Sequence, residues 1–211
     1  MANVSQVKSK LFKAVSADPN GICTAQTTSG AADLTLNGAQ VTDDVASDGS
    51  NMATTVTITS AGSDESGDAF EVVGTDSNGD AQTESSITGP GTSATVTTTA
   101  AFLTVTTVSV DGALTGNVTV GFTATSTTTG VLFAGRTRVR GLQGLSAATA
   151  GNLLFKNTSV TGTTLFTVPT STSTTDLIEP YIPDNAVLFD AGAYVSFSAG
   201  LAAGVTVFYD G

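Results

Sequence analysis

Short runs in which apolar residues alternate with Thr or Ser, bounded by Gly, Asn or Pro, recur along most of this chain. They include "TTVTITS" from Thr54, "DAFEVVGTD" from Asp68, "AFLTVTTVSVDG" from Ala101 and "NVTVGF" from Asn117. A period of two sends successive side chains to opposite faces of a pleated strand, so each run has one face to bury and one to wet. No long helical period competes with this pattern. Thr alone is about a fifth of the 211 residues, well above average usage. Its branched, χ1-restricted side chain suits a half-buried pleated surface. With 23 Gly available for turns, the fold class is all-β.

The spacing of these runs predicts two small antiparallel β-sandwich domains, immunoglobulin-like or jelly-roll-like, behind a short N-terminal arm. Residues 1–16 form the expected arm. Val4, Val7 and Leu11 would share one helical face, but so short a segment must order against something else. About seven strands fall within residues 17–124, the size of an immunoglobulin-like sandwich. Among them, Ser77-Asn78-Gly79 between alternating runs signals a tight hairpin. In "TVTTVSV", Val105 and Val108 fall on opposite parity, which predicts a bulge or a change of buried face. "TATSTTTG" lacks both period and charge, so residues 125–131 read as a linker. The pattern restarts in residues 132–211, a second sandwich small enough to lean on neighbours.

A phrase repeats three times: "GALTGNVTVGF" from Gly112, "AATAGNLLF" ending at Phe155 and "GLAAGVTVFYDG" at the end of the sequence. Each reads as a small-residue turn followed by a strand with one buried face. The uncharged stretch from Ala191 to Tyr209 is long enough to cross a bilayer as a helix. Its period of two, its Gly and Ser content and its lack of basic flanks instead predict two buried strands and no membrane.

The formal net charge of −11 disfavours nucleic acid as a partner, because phosphate binding requires a basic surface. The single Cys, Cys23, excludes an intramolecular disulfide, and its neighbour Ile22 suggests a buried, inert thiol. "MANVSQVKSKLFK" has no apolar h-region, so cytoplasmic synthesis is expected. With no His and no Trp, nothing meets the nucleophile–base–orienter requirement, and no enzyme is expected. Asp76, Asn78 and Asp80 match the first ligand positions of an EF-hand loop. Ala81 and Ile87 then stand where Gly and the bidentate Glu are needed, so the expected cofactor is none. A weaker calcium site shared with Asp64, Glu65 or Asp68 remains an alternative, as in a calcium-dependent carbohydrate-binding module.

Basic residues are few but grouped: Lys8, Lys10 and Lys13, then Arg136, Arg138 and Arg140. Alternation places the three arginines on one face of a strand, with Thr137 and Val139 on the other. Either the chain's own carboxylates pair with them, or the strip docks an acidic partner, with nucleic acid a third reading. All six residues are the candidate interface.

"EVVGTDSNGDAQTESSITGP" (Glu71 to Pro90), "FLTVTTVSVDGALTGNVTVGF" and "VRGLQGLSAATAGNLLF…VTVFYDG" together resemble small β-sandwich virion proteins of tailed bacteriophages, particularly those of marine and cyanobacterial hosts. The resemblance covers most of the chain after about residue 20 and carries no catalytic residues. It implies a virion structural protein made in the host cytoplasm, chiefly a capsid decoration or cement protein on the head exterior. Its implied partners are the major capsid protein or other virion proteins, and homo-oligomers are expected because open sheets must cap their edges. The alternative is a tail, fibre or vertex component that binds another tail protein or a host glycan.

Overall fold

The computed structural model describes residues 6–124, 129–146, 150–173, 175–197 and 201–211, which form strands, turns and loops without a helix. The first strand is β1 (Lys8–Phe12). Ten follow: β2 (Asp18–Gln26), β3 (Ala32–Asp33), β4 (Val41–Thr42), β5 (Val45–Ala46), β6 (Thr54–Ser60), β7 (Ala69–Thr75), β8 (Ala81–Thr88), β9 (Thr95–Phe102), β10 (Thr104–Val110) and β11 (Val118–Phe122). The last eight are β12 (Thr129–Phe133), β13 (Thr137–Ser146), β14 (Gly151–Asn157), β15 (Thr164–Thr170), β16 (Leu177–Ile178), β17 (Val187–Phe189), β18 (Ala193–Phe197) and β19 (Leu201–Asp210).

Two compact units divide the chain. The central unit comprises Val15–Gly49 and Ala53–Ala124; the terminal unit comprises Met1–Ala14, Ser50–Met52 and Thr125–Gly211. Each has its own core, enclosed by two antiparallel sheets.

In the central unit, one sheet runs β2-β11-β6-β9 and the other β4-β5-β10-β7-β8, with β3 also on β10. Alternation buries Val56 and Ile58 of β6, Phe70 and Val72 of β7, and Val118, Val120 and Phe122 of β11 in one cluster. Seven strands have five residues or more, as the spacing of the runs suggests. The hairpin at Asn78-Gly79 joins β7 to β8, and Gly79 takes φ +86°, which a side chain disfavours. The parity break in β10 is a bulge: its register against β7 shifts between Val105 and Thr107. The extra residue restores phase, so Val105, Val108 and Val110 are all buried.

The loop "DGALTGN" before β11 is tied to a buried carboxylate. Glu65 is fully buried, and its Oε2 and Oε1 accept the backbone N–H groups of Thr115 and Gly116, both at 2.8 Å. Thr27 and Thr28 hydroxyls donate to the carbonyls of Leu114 and Gly112, each at 3.2 Å. Asp111 Oδ1 accepts from Ala69 N–H at 2.7 Å, anchoring the start of the loop to β7.

The terminal unit packs the sheet β1-β19-β13-β16, with β17 also on β13, against the sheet β12-β18-β14-β15. Its core holds Phe12, Met52, Val139, Leu142, Leu153, Phe155, Phe189, Val195, Val205 and Val207.

Three expectations change here. The N-terminal segment carries a strand rather than a helical arm: β1 pairs along β19 from Lys8↔Tyr209 to Phe12↔Val205, and Phe12 is wholly buried. Three apolar residues at helical spacing were outweighed by the chance to cover a sheet edge and bury Phe12. Of the expected linker 125–131, residues 129–131 belong to β12, while 125–128 lie outside the described residues. In the third copy of the repeated phrase, Gly204 is not a turn. It lies inside β19 at φ +94°, where the register against β13 shifts between Gly144 and Ser146. A Cβ there would come within 2.5 Å of the Phe12 carbonyl oxygen, so only glycine lets β1 close on β19. The uncharged C-terminal stretch forms β18 and β19, and among the described residues no helix is long and apolar enough to cross a membrane.

Candidate interaction surface

Thr137 and Val139 are buried while Arg138 is exposed, so the arginine strand has the expected faces. Its charges then diverge. Arg140 Nε donates to Asp210 Oδ2 at 2.6 Å, and the same guanidinium pairs with Asp210 through Nη2 and donates to the Asp184 carbonyl at 3.1 Å. Asp210 raises the Arg140 pKa further above its ordinary value. Arg136 faces Asp190 at 3.6 Å, with the two side chains 68% and 73% exposed. A pair so open to water contributes little. Arg138 makes no ion pair among the described residues. It stands with Arg136, Leu188 and Gly211 around a cleft of about 340 Å³. Two of the three arginines therefore meet the chain's own carboxylates, and Arg138 meets none among the described residues.

The lysines do not join this strip. In β1, Lys8 and Lys10 lie opposite Tyr209 and Val207 of β19, so they share the inward parity of Phe12. Lys10 Nζ donates to the Val131 carbonyl at 2.7 Å across the sandwich, and burial lowers its pKa. Lys8 Nζ sits 5.6 Å from the centre of the Phe133 ring, within cation–π range. Both reach β12 of the facing sheet, whereas Arg138 lies on the outward side of β13. Lys13 continues from β1, with its backbone N–H donating to the Ser50 carbonyl at 3.3 Å.

Two carboxylates of the acidic loops are bound up in their own turns. Asp76 Oδ1 accepts the N–H groups of Asn78 and Asp80, at 2.7 and 3.0 Å. Asp64 Oδ1 accepts Ser66 N–H at 3.0 Å, and bonds to Ser66 hold its carboxyl below the usual range. Glu65, an alternative calcium ligand in the sequence, is committed to the loop before β11. Among the described residues no three His, Cys, Asp or Glu side chains converge as metal ligands. Cys23 is buried in the central core, where desolvation pushes its thiol up to about 12.

The two units divide the charge unequally. All seven Lys and Arg belong to the terminal unit, with five carboxylates, for a net charge of +2. Thirteen Asp and Glu belong to the central unit with no basic residue at all, for −13. Hydrophobic exposure is divided the same way. Among the described residues, the large hydrophobics left exposed are Val7, Leu11, Leu165, Leu177, Tyr181 and Phe208, all in the terminal unit. Scattered exposed apolar residues need no explanation, but confinement to one unit does.

No family model, curated protein or solved structure matches this chain.

Proposed function

We propose that this protein is a structural component of a tailed-bacteriophage virion, a decoration or cement protein on the head exterior. It attaches through its terminal unit and leaves the acidic central unit to solvent. What supports the reading is the polarity of the chain: every Lys and Arg, and among the described residues every exposed large hydrophobic, belongs to one unit. A protein that must hold to an acidic surface needs cations and apolar contacts on the attaching part. It also benefits from strong negative charge on the part that must stay soluble and repel unwanted neighbours. The phage-like phrases quoted above supply the class of assembly.

Two measurements test this. Quantitative mass spectrometry of purified particles should find the protein at a level comparable to the major capsid protein. A level far below it overturns decoration in favour of a tail, fibre or vertex component. Co-sedimentation of purified protein with stripped particles should weaken as salt rises. Arg138→Glu should weaken it by about tenfold, the scale of a charge contact in a complementary interface, without lowering the melting temperature. Attachment unchanged by the reversal removes the arginine strand from the docking surface.

A further inference from the structure

A groove of about 510 Å³ in the terminal unit is lined by Arg140, Gln143, Glu179, Tyr181, Ile182 and Phe208. Its position follows from an irregularity in β13. The register against β19 shifts between Val139 and Gly141, which makes Arg140 an extra residue. Val139 and Leu142 are therefore both buried, while Arg140, Gly141 and Gln143 are left on the other side with Phe208. The groove also opens at a break in the sheet edge, because β13 pairs with β17 up to Val139 and with β16 only from Gly144. Aromatic exposure is concentrated here. Among the described residues the exposed aromatic side chains are Tyr181, at 85%, and Phe208, and both line this groove. Arg140 is held in place by Asp210, through Nε and Nη2, and by the Asp184 carbonyl.

We infer that this groove binds a neutral oligosaccharide. The lining disfavours the other classes in turn. An apolar partner would strip water from Arg140, Gln143 and Glu179 and give nothing back. An acidic ligand gains little, because Arg140 already faces Asp210 and Glu179 would repel the newcomer. A basic ligand is repelled by Arg140. An extended peptide that adds a strand needs a longer edge than residues 140–143, which β17 and β16 close at both ends. A sugar ring suits what remains. Its C–H face packs on the electron-rich face of Tyr181 or Phe208, while its hydroxyls accept from Arg140 and Gln143 and donate to Glu179. The volume falls within the range of about 300–1,000 Å³ typical of small-ligand sites.

The groove shares no lining residue with the arginine cleft and does not depend on attachment to a virion. An amide NMR titration of the purified full chain tests it, with neutral trisaccharides of glucose, galactose, mannose and N-acetylglucosamine as probes. Each is added to about 10 mM, tenfold above a dissociation constant of about 1 mM. At least one should shift signals within residues 140–143 and 179–182 and at Phe208. Tyr181→Ala should weaken that binding by about tenfold, the upper end of an aromatic contact, without lowering the melting temperature. Tyr181 is so exposed that its substitution leaves the fold intact. A trisaccharide of glucuronic acid should bind more weakly than its glucose counterpart. The inference is overturned by no shift with any of the neutral sugars, by shifts centred elsewhere, or by binding indifferent to Tyr181→Ala. Preference for the uronate overturns it equally. Because no particles are present, failure here leaves the attachment experiment untouched.

Discussion

At the scale of single residues, the most consequential side chain is one that the sequence offered only as an alternative calcium ligand. Glu65 sits in "GSDESGD", where composition suggests a hydrated loop. Its carboxylate instead accepts two backbone N–H groups, from Thr115 and Gly116, inside the protein. Glu65→Ala would leave both donors without their acceptor, at a cost of about 1–3 kcal/mol. Glu65→Gln should cost less, because one amide oxygen can still accept while its NH₂ opposes the second donor. Urea unfolding followed by circular dichroism would measure both, and an alanine variant as stable as the parent would refute the clamp. The signal that was missing is geometric. Only the folded loop "DGALTGN" aims its N–H groups at residue 65, fifty positions earlier. Cys23, by contrast, was readable, because an apolar neighbour in a strand-rich segment already implies burial.

Elements were legible where the information is local. Alternation in "TTVTITS" gives β6, the Asn78-Gly79 turn gives the β7–β8 hairpin, and the parity of Val105 and Val108 gives the bulge in β10. Partnership between distant elements was not legible, because register across more than a hundred residues is decided by the shape of the assembled sheet. β1 illustrates this: Val7 and Leu11 suggest a helix until β19 offers an edge and the core offers room for Phe12. The glycine that permits this pairing gives a comparison within one protein. Gly79 and Gly204 both have positive φ, but a Cβ on Gly79 meets nothing within 4 Å, whereas one on Gly204 meets the Phe12 carbonyl oxygen and Lys13. Gly79→Ala should therefore cost about 1 kcal/mol, from backbone strain alone. Gly204→Ala should cost clearly more and loosen β1, seen as faster amide exchange across residues 8–12. Equal costs would show that β1 does not press on Gly204.

For the whole molecule, the separation of charge between units has a thermodynamic consequence. Folding the central unit gathers thirteen carboxylates, and no Lys or Arg in that unit offsets them. Self-repulsion of this kind destabilises the compact state and is relieved by screening. The terminal unit carries near-balanced charge and a directly paired Arg140–Asp210 contact, so salt has little to relieve there. In calorimetry, raising NaCl from about 20 mM to about 0.5 M shortens the screening length from roughly 20 Å to a few ångströms. The transition of the central unit should then move up while that of the terminal unit stays close to its starting point. Glu65→Ala identifies the central transition, since it lowers only the unit that contains residue 65. Calcium chloride at matched ionic strength should act like sodium chloride, because Asp64 and Asp76 bond to their own turns and Glu65 to a neighbouring loop. A larger rise with calcium would reveal a specific site among the acidic loops. Equal salt shifts in both transitions would show that the charge separation has no energetic weight, and with it would go the main physical support for assigning attachment to one unit and solvent display to the other.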